Sequence, residues 1–578
     1  MANFFTDNED LLFHFDFWDL KSLADLKEDS YAEAAEFPFA PADAADAVDN
    51  YRRALDVTGE IAGDFIAPRA EEIDREGNTL HDGRVTLNPR MVENLERLGA
   101  ADLMGFTLPR RFGGLNMPTL VYSIAIEMVS RADASLMNIF GLQGIAETIN
   151  AFASEELKQE YLPDLASGKN TGAMVLTEPD AGSDLQRVKL RAHQDADGNW
   201  LLSGVKRFIT NGCGEILLVL ARSEPDETGG LGLSLFLCER QPEVRVRRIE
   251  DKLGIHGSPT CELEFHNARA HLIGERRRGL VTYTMALMNG ARVGIAAQSI
   301  GIAEAAYREA RNYAHTRVQF GKRIEEFPAV ADLLVEMKIA IEAARSVTLD
   351  ASRAMDIENI LTEKIELKKV APEKANEMKK EQRVYKRLAG FLTPVAKYLG
   401  SEVALKVASD AIQVLGGSGF MKDYPLERHW RDSRITTIYE GTSQLQVVAA
   451  IRGVTSGVAE NYFSMLDTGF ENKSLESLAK KLRPARKDLA KCVEYVKAKG
   501  SDYTDLYARD LVDIATDILV GYLFIKQAAL SKKKLVTARH FIARAVPRMK
   551  MLVKRATSGD QTVLKHFMAI AGEPPASV

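Results

Sequence analysis

Glu440 stands between Tyr439 and Gly441 in the run Ile438-Tyr439-Glu440-Gly441-Thr442-Ser443-Gln444. A carboxylate between an aromatic residue and a glycine, beside a helix start, is a candidate general base. Burial raises the pKa of such a group, and an apolar substrate that expels water raises it further. A lone glutamate is otherwise an ordinary surface charge. Four more runs carry ligand chemistry. In residues 177–184, TEPDAGSD, Pro179 and Gly182 favour a turn that leaves backbone N–H groups and the hydroxyls of Thr177 and Ser183 facing a ligand. In residues 204–212, GVKRFITNG, Phe208 and Thr210 share one face of a strand ahead of the turn pair Asn211-Gly212. A ring and a hydroxyl on one face suit a planar heteroaromatic group, or simply a half-buried strand. Arg317 in residues 317–322, RVQFGK, ends a helical run; its planar fork fits a phosphate, and a cation there also suits a helix C-terminus. In residues 413–420, QVLGGSGF, the glycines allow close backbone approach and also end a helix.

The elements that must position these runs follow from the periodicity. Residues 1–40 form an acidic, aromatic arm that packs on the body; a partner-docking peptide is the alternative. Residues 41–170 repeat apolar positions at a period near 3.6, in 41–66, 91–98, 118–131 and 135–153, and Ser154 before Glu155 and Glu156 reads as a helix cap. Residues 171–275 alternate and are β-branched at 174–176, 200–202, 216–221, 233–238 and 244–249, with the turn Asp195-Ala196-Asp197-Gly198. That is a compact antiparallel β domain. Residues 276–455 return to helices, with 281–315 and 329–355 as long ones, and a charged stretch at 357–387 containing Pro372 reads as a solvated excursion within a helical pair. Residues 456–578 add further amphipathic helices. The fold class is therefore mainly α with a central antiparallel β domain, in segregated blocks. No GxGxxG follows a strand and no GxxxxGK[ST] occurs, which disfavours a Rossmann or P-loop enzyme.

A chain of 578 residues needs several folding units, and 46% hydrophobic with 27% charged residues allows a large core. A net charge of −6 argues against a protein that coats nucleic acid. The first fifty residues hold 13 acids against 2 bases, whereas residues 456–578 carry 21 bases against 13 acids. Each end is a solvated face, or the two attract one another; contact of the basic tail with anionic lipid is disfavoured for want of an exposed amphipathic helix. Cys213, Cys238, Cys261 and Cys492 form no CxxC pair and no zinc spacing, so free thiols and no metal are expected. The acidic N-terminus lacks the basic character of a targeting signal, and the longest apolar run, 511–530, is broken by Asp513, Asp517 and Lys526. A cytoplasmic protein is expected.

Together and in this order, TEPDAGSD, GVKRFITNG, RVQFGK, QVLGGSGF and IYEGTSQLQ resemble the acyl-CoA dehydrogenase family, over residues 51–453. The resemblance implies a helical N-terminal domain, a β domain and a C-terminal four-helix bundle, followed here by an additional helical domain. It implies an FAD enzyme that desaturates an acyl-CoA thioester at the α and β carbons in fatty or organic acid degradation by β-oxidation, passing electrons to an electron-transfer flavoprotein. An oxidase using oxygen and a non-catalytic family member are the alternatives. Thr177, Gly182, Ser183, Phe208 and Thr210 are implied to contact the flavin and ribityl region. Arg317, Phe320, Gln413 and Gly417 would hold the adenosine pyrophosphate, with Arg317 reaching across a subunit interface, and Thr442 and Gln444 would also meet FAD. The family places its base either in the YEGT-type loop or before an arginine on an earlier helix. Ala291 precedes Arg292 here, so the resemblance implies Glu440. Its own backbone N–H and a cofactor hydroxyl would stabilise the enolate. Ser183, Asn289, Arg292, Tyr439 and Gly441 are the implied substrate contacts. The stretches Asp74-Arg75-Glu76-Gly77 and Asp82-Gly83-Arg84-Val85 are similar to the long-form subgroup that includes methylthiopropanoyl-CoA dehydrogenases, and the extra helices imply a homodimer.

Overall fold

Charged side chains that would be costly to bury singly close the two ends of the chain onto each other. The computed structural model describes residues 2–366 and 372–575. Helices α1 (Glu9–Phe17) and α2 (Leu20–Lys27) form the arm, each started by a capping side chain, Asn8 and Asp19. Phe5, Leu11, Phe15, Leu20 and Leu23 are buried, so the arm is part of the body. It lies against α3 (Ala44–Glu60) so closely that a Cβ on Gly59 would sit 2.7 Å from the Phe5 backbone nitrogen. Asp10 pairs with Arg345 and with Lys534, and Glu9 with Lys533, so the acidic arm meets the basic tail.

After α3 the chain widens into a π turn at Ile61–Ile66 and continues into α4 (Ala70–Glu76), a small hairpin of β1 (Thr79–His81) and β2 (Arg84–Thr86), and α5 (Pro89–Gly99). Helix α6 (Thr119–Ala132) is buried almost throughout. The single helix expected over 135–153 is instead α7 (Ala134–Phe140), a 3-10 turn at Gly141–Gln143 and α8 (Gly144–Phe152); glycines bracket the break. Ser154 caps α9 (Glu155–Ala166) as expected.

The β domain holds β3 (Gly172–Val175), β4 (Arg191–Gln194), β5 (Trp200–Thr210), β6 (Ile216–Arg222), β7 (Leu233–Glu239), β8 (Val244–Ile249) and β9 (Thr260–Ile273) in the order β3-β6-β4-β5-β9-β7. Strand β7 also pairs with β6, which closes the sheet on itself, and β8 pairs with β9. The domain is not wholly antiparallel: β3 runs parallel to β6, and one bridge joins β4 to β6 in parallel. The longest strand, β9, escapes the sequence pattern because His266, Asn267 and Arg269 interrupt its apolar positions, and Asn267 adopts a left-handed backbone.

A second π turn, Gly279–Thr284, opens α10 (Met285–Thr316), which the short hairpin β10 (Val318–Gln319) and β11 (Lys322–Arg323) links to α11 (Pro328–Glu366). Helix α12 (Pro372–Leu415) returns antiparallel, and α13 (Leu426–Thr436) and α14 (Ser443–Thr455) complete the bundle. The described parts of the charged stretch 357–387 extend α11 and α12, with Ile360 and Leu361 buried and the rest exposed or half-buried; residues 367–371 lie outside the described residues.

Five further helices follow, α15 (Val458–Leu466), α16 (Lys473–Ala498), α17 (Ser501–Ala528), α18 (Lys532–Ala556) and α19 (Thr562–Ala571). One apolar cluster joins α15, α16, α17 and α18 to the bundle, from Val347 and Phe391 through Ile451 to Leu511, Ile518 and Leu552, whereas α19 buries no residue. Helix α17 is the long apolar run. Its acids are met inside the protein: Tyr398 donates to Asp513 at 2.9 Å, Arg548 to Asp517 at 2.8 Å and Arg555 to Asp510 at 2.6 Å. Among the described residues no helix is long and apolar enough to cross a membrane.

Candidate active site

The loop between α13 and α14 carries Tyr439, Glu440 and Gly441, and its backbone is unusual. Glu440 sits at φ 54 and Gly441 at φ 91, both in the left-handed region. For glutamate that conformation is strained and persists only when its surroundings hold it. The hold is visible. Gln446 donates through Nε2 to the Glu440 carbonyl at 3.1 Å and to the Gly441 carbonyl at 3.0 Å, and Lys397 of α12 donates through Nζ to the same Gly441 carbonyl at 2.7 Å. Thr442 caps α14.

Electrostatics mark Glu440 apart from surface carboxylates. Enclosure by protein raises its pKa from the ordinary 4.5 to about 7, while the Arg292 guanidinium and the Lys397 ammonium pull the other way. Lys397 is wholly buried, and burial lowers it to about 8 against the opposing pull of Glu440. Arg292 on α10 donates to Asn289 Oδ1 at 3.1 Å, while its Nε is buried without a hydrogen-bond partner. Tyr439 is tied down from the other side: its hydroxyl donates to Gln298 Oε1 and to Asn138 Oδ1, 3.3 Å away. Asn138 in turn donates to Ser258 Oγ at 3.2 Å.

That chain of contacts reaches the β domain. Ser258 and Pro259 precede β9, Asn211 donates its backbone N–H to Pro259 at 2.8 Å, and Thr210 pairs with Thr260. The end of β5 thus lies a few contacts from the Glu440 loop. The Thr177 carbonyl accepts the Arg207 N–H at 2.9 Å, so the TEPDAGSD turn abuts β5. Buried Lys206 pins that turn through the Leu176 carbonyl at 2.8 Å and Glu178 at 3.1 Å. Gly182 and Ser183 are exposed, and Thr177 and Thr210 half-buried. Phe208 is 52% exposed at φ 61, within a bulge that breaks the β5–β9 register between Lys206 and Ile209. Strict alternation, assumed from the sequence, therefore fails here. Phe208 and Thr210 nonetheless flank the buried Ile209, and ring and hydroxyl stay available.

Arg317 and its companions lie elsewhere. Arg317 caps α10, 25 residues beyond Arg292, roughly 37 Å at 1.5 Å per residue. There it meets the QVLGGSGF segment, where Tyr313 donates to Ser418 at 3.4 Å. Arg317, Gln413, Gly417 and Gln444 are exposed, and Phe320 is 94% exposed. Within one chain the structure brings together Thr177, Gly182, Ser183, Phe208 and Thr210, and separately Glu440, Tyr439, Gly441, Thr442, Arg292 and Asn289. It does not bring Arg317, Phe320, Gln413 or Gly417 to either. Sequence reasoning missed Lys397, Gln446, Gln298 and Asn138. Lys397 did leave a trace, as a lone cation in the apolar run FLTPVAKYLG.

Asp332, Glu336 and His540 bring ligand atoms within 4.8 Å of one another, and Arg544 already pairs with both carboxylates, to Glu336 at 3.3 Å. All four cysteines are free thiols.

Comparison with known proteins finds relatives of this fold along almost the whole chain. Residues 49–169, 173–268 and 278–454 match the N-terminal, middle and C-terminal domains of acyl-CoA dehydrogenase, and residues 455–545 match the "Acyl-CoA dehydrogenase C terminal" family. An acyl-CoA dehydrogenase of Bacillus subtilis (strain 168) is 38% identical over 359 residues, 61% of this chain and 86% of its own. The 3-methylmercaptopropionyl-CoA dehydrogenase of Ruegeria pomeroyi is 33% identical over 429 residues, 69% of each chain. The solved acyl-CoA dehydrogenase of Bacillus anthracis, a complex with FAD, superposes with TM-score 0.75 over 92% of both chains at 23% identity, and so shares the fold including the extension. The chain belongs to the acyl-CoA dehydrogenase family, a family of flavoprotein oxidoreductases.

Proposed function

We propose that this protein is an FAD-dependent acyl-CoA dehydrogenase in which Glu440 takes the α-proton of an acyl-CoA thioester. One observation carries the reading: a carboxyl raised to about 7 stands in a strained loop facing two cations. A base poised near neutral pH is ionised often enough to act and basic enough to hold a proton. The residues fit the cofactor. Phe208 offers an exposed ring, Thr177, Ser183 and Thr210 offer hydroxyls, and Gly182 leaves the turn open, a donor set suited to a flat ring bearing carbonyls and N–H groups. FAD, when bound, supplies the acceptor for the hydride leaving the β-carbon. The Glu440 backbone N–H is the donor for the thioester oxygen as enolate charge develops. Arg292, with its free Nε, and Asn289, Ser183, Tyr439 and Gly441 line the substrate side.

Arg317 lies roughly 37 Å along α10 from Arg292, which stands beside the proposed base, and this supports a homodimer in which Arg317, Phe320, Gln413 and Gly417 serve the partner's FAD. Gln444 and Thr442 meet the cofactor of their own chain. The electrons leave to an electron-transfer flavoprotein, and the protein acts in the cytoplasm. Anaerobic titration with straight, branched, dicarboxyl and cyclic acyl-CoAs tests this reading. Bleaching of the yellow enzyme by at least one, absent in Glu440→Gln, is expected. Full bleaching of Glu440→Gln would overturn the assignment of the base, and a colourless protein that takes up no FAD would overturn the reading entirely.

A further inference from the structure

Lys397 is an oddity of α12: an ammonium with no exposed surface, on a helix face where its buried neighbours Thr393 and Ser401 carry no charge. Among the described residues no carboxylate forms an ion pair with it. Its hydrogen bond goes to the Gly441 carbonyl, in the loop of Glu440. The charged groups around it come from three elements. Arg292 faces it from α10 and Glu440 from the loop. Glu402, one turn on along α12, is otherwise engaged: Ser443 donates to it at 2.6 Å and Arg509 pairs with it at 3.2 Å. Tyr439 is held away by Gln298 and Asn138. The charge of Lys397 therefore acts chiefly on Glu440.

We propose that Lys397 is a positioning residue for the base, fixing the strained loop through the Gly441 carbonyl and keeping the Glu440 carboxylate ionised until it takes the substrate proton. The inference rests on Glu440 being the base. In that step the α C–H bond breaks, its electron pair stays on carbon, and an O–H bond forms on Glu440. Two cations beside the carboxyl favour its anion beforehand and favour release of the proton afterwards.

The test uses FAD-loaded Lys397→Met, Lys397→Gln, which keeps an N–H donor without the charge, and Lys397→Arg. In Met and Gln the acid limb of anaerobic flavin bleaching moves up by about one pH unit, and the rate at neutral pH falls roughly fivefold to tenfold, while KM changes less than about threefold. Arg restores the limb. In the apoprotein, the Glu440 carboxyl stretch, assigned by infrared difference from Glu440→Gln, titrates higher in both neutral variants. Should Met fail to fold, Gln carries the test. An unmoved limb and an unmoved carboxyl titration in a folded variant overturn the proposal. If Glu440→Gln still bleaches, the base reading fails; if it is inert and the lysine variants keep the limb, only this inference fails.

Discussion

The Tyr439 hydroxyl lies 3.3 Å from Asn138 Oδ1, so the residue beside the candidate base is held by the N-terminal helical domain. Through Asn138 the same hydrogen-bonded set reaches Ser258 of the β domain. The loop is thus set jointly by the N-terminal helical domain, the β domain and the bundle.

Tyr439→Phe strips the donor from Gln298 Oε1 and leaves that buried acceptor unpaired, whereas Asn138 Oδ1 keeps the Gln298 Nε2 donor at 2.8 Å. A loss of about 1–3 kcal/mol is expected, read as a lower urea midpoint with unchanged slope. No shift in the midpoint would show that the network does not hold the loop.

The pH dependence follows from Glu440. With the carboxyl near 7, kcat/KM falls roughly tenfold per pH unit below that point, because the base is then protonated. The stability effect has the opposite sign. A carboxyl raised on folding makes the native state bind more protons, so stability is highest at low pH and declines as pH rises from about 4.5 through about 7. Apo Glu440→Gln is therefore more stable than the parent at about pH 8 and equal to it near pH 4. Equal melting temperatures at both would refute the shift.

Arg317→Ala removes an exposed side chain whose proposed work is in a neighbouring subunit. The apoprotein's melting temperature stays within about 1 °C, as for most surface substitutions. FAD retention on dilution falls by about tenfold or more, the loss expected when a bidentate phosphate contact goes. Unchanged retention would remove Arg317 from the cofactor site.

Asp10→Ala removes the carboxylate that Arg345 and Lys534 share, while Glu127 and Glu304 still pair with Arg345 and Glu342 with Lys534. Burial opposes the Asp10 charge, but those two cations outweigh it and hold its carboxyl well below the usual range. A folded value below the unfolded one stabilises at neutral pH, and that contribution is lost as pH falls from about 4 through the folded value. A cost of about 1–3 kcal/mol in urea unfolding at pH 7 is expected, because the remaining carboxylates keep both cations paired. A cost under about 1 kcal/mol would mean the arm is not locked by this group.

The block order and the five motifs were legible because each rests on local chemistry: a 3.6 period, a Pro-Gly turn, a glutamate beside glycine. Three things were not. The break at Gly141–Gln143 lies within an unbroken apolar period, so the period hid the two glycines that bracket it. The parallel pairing of β3 with β6 is a long-range choice. Lys397 reaches Gly441 from 44 residues away, and only the folded chain juxtaposes a buried cation with the base.

Asp10 and Lys534 are 524 residues apart in sequence, yet their charged groups touch in the interior. A ribosome adding about 5–20 residues per second needs on the order of half a minute to two minutes between the two. Throughout that interval Asp10 can reach Arg345 but not Lys534, and Glu9 has no Lys533 to meet. The arm's last two ion pairs therefore form only when α18 arrives, and a message truncated before α18 yields an arm that packs on the body without them.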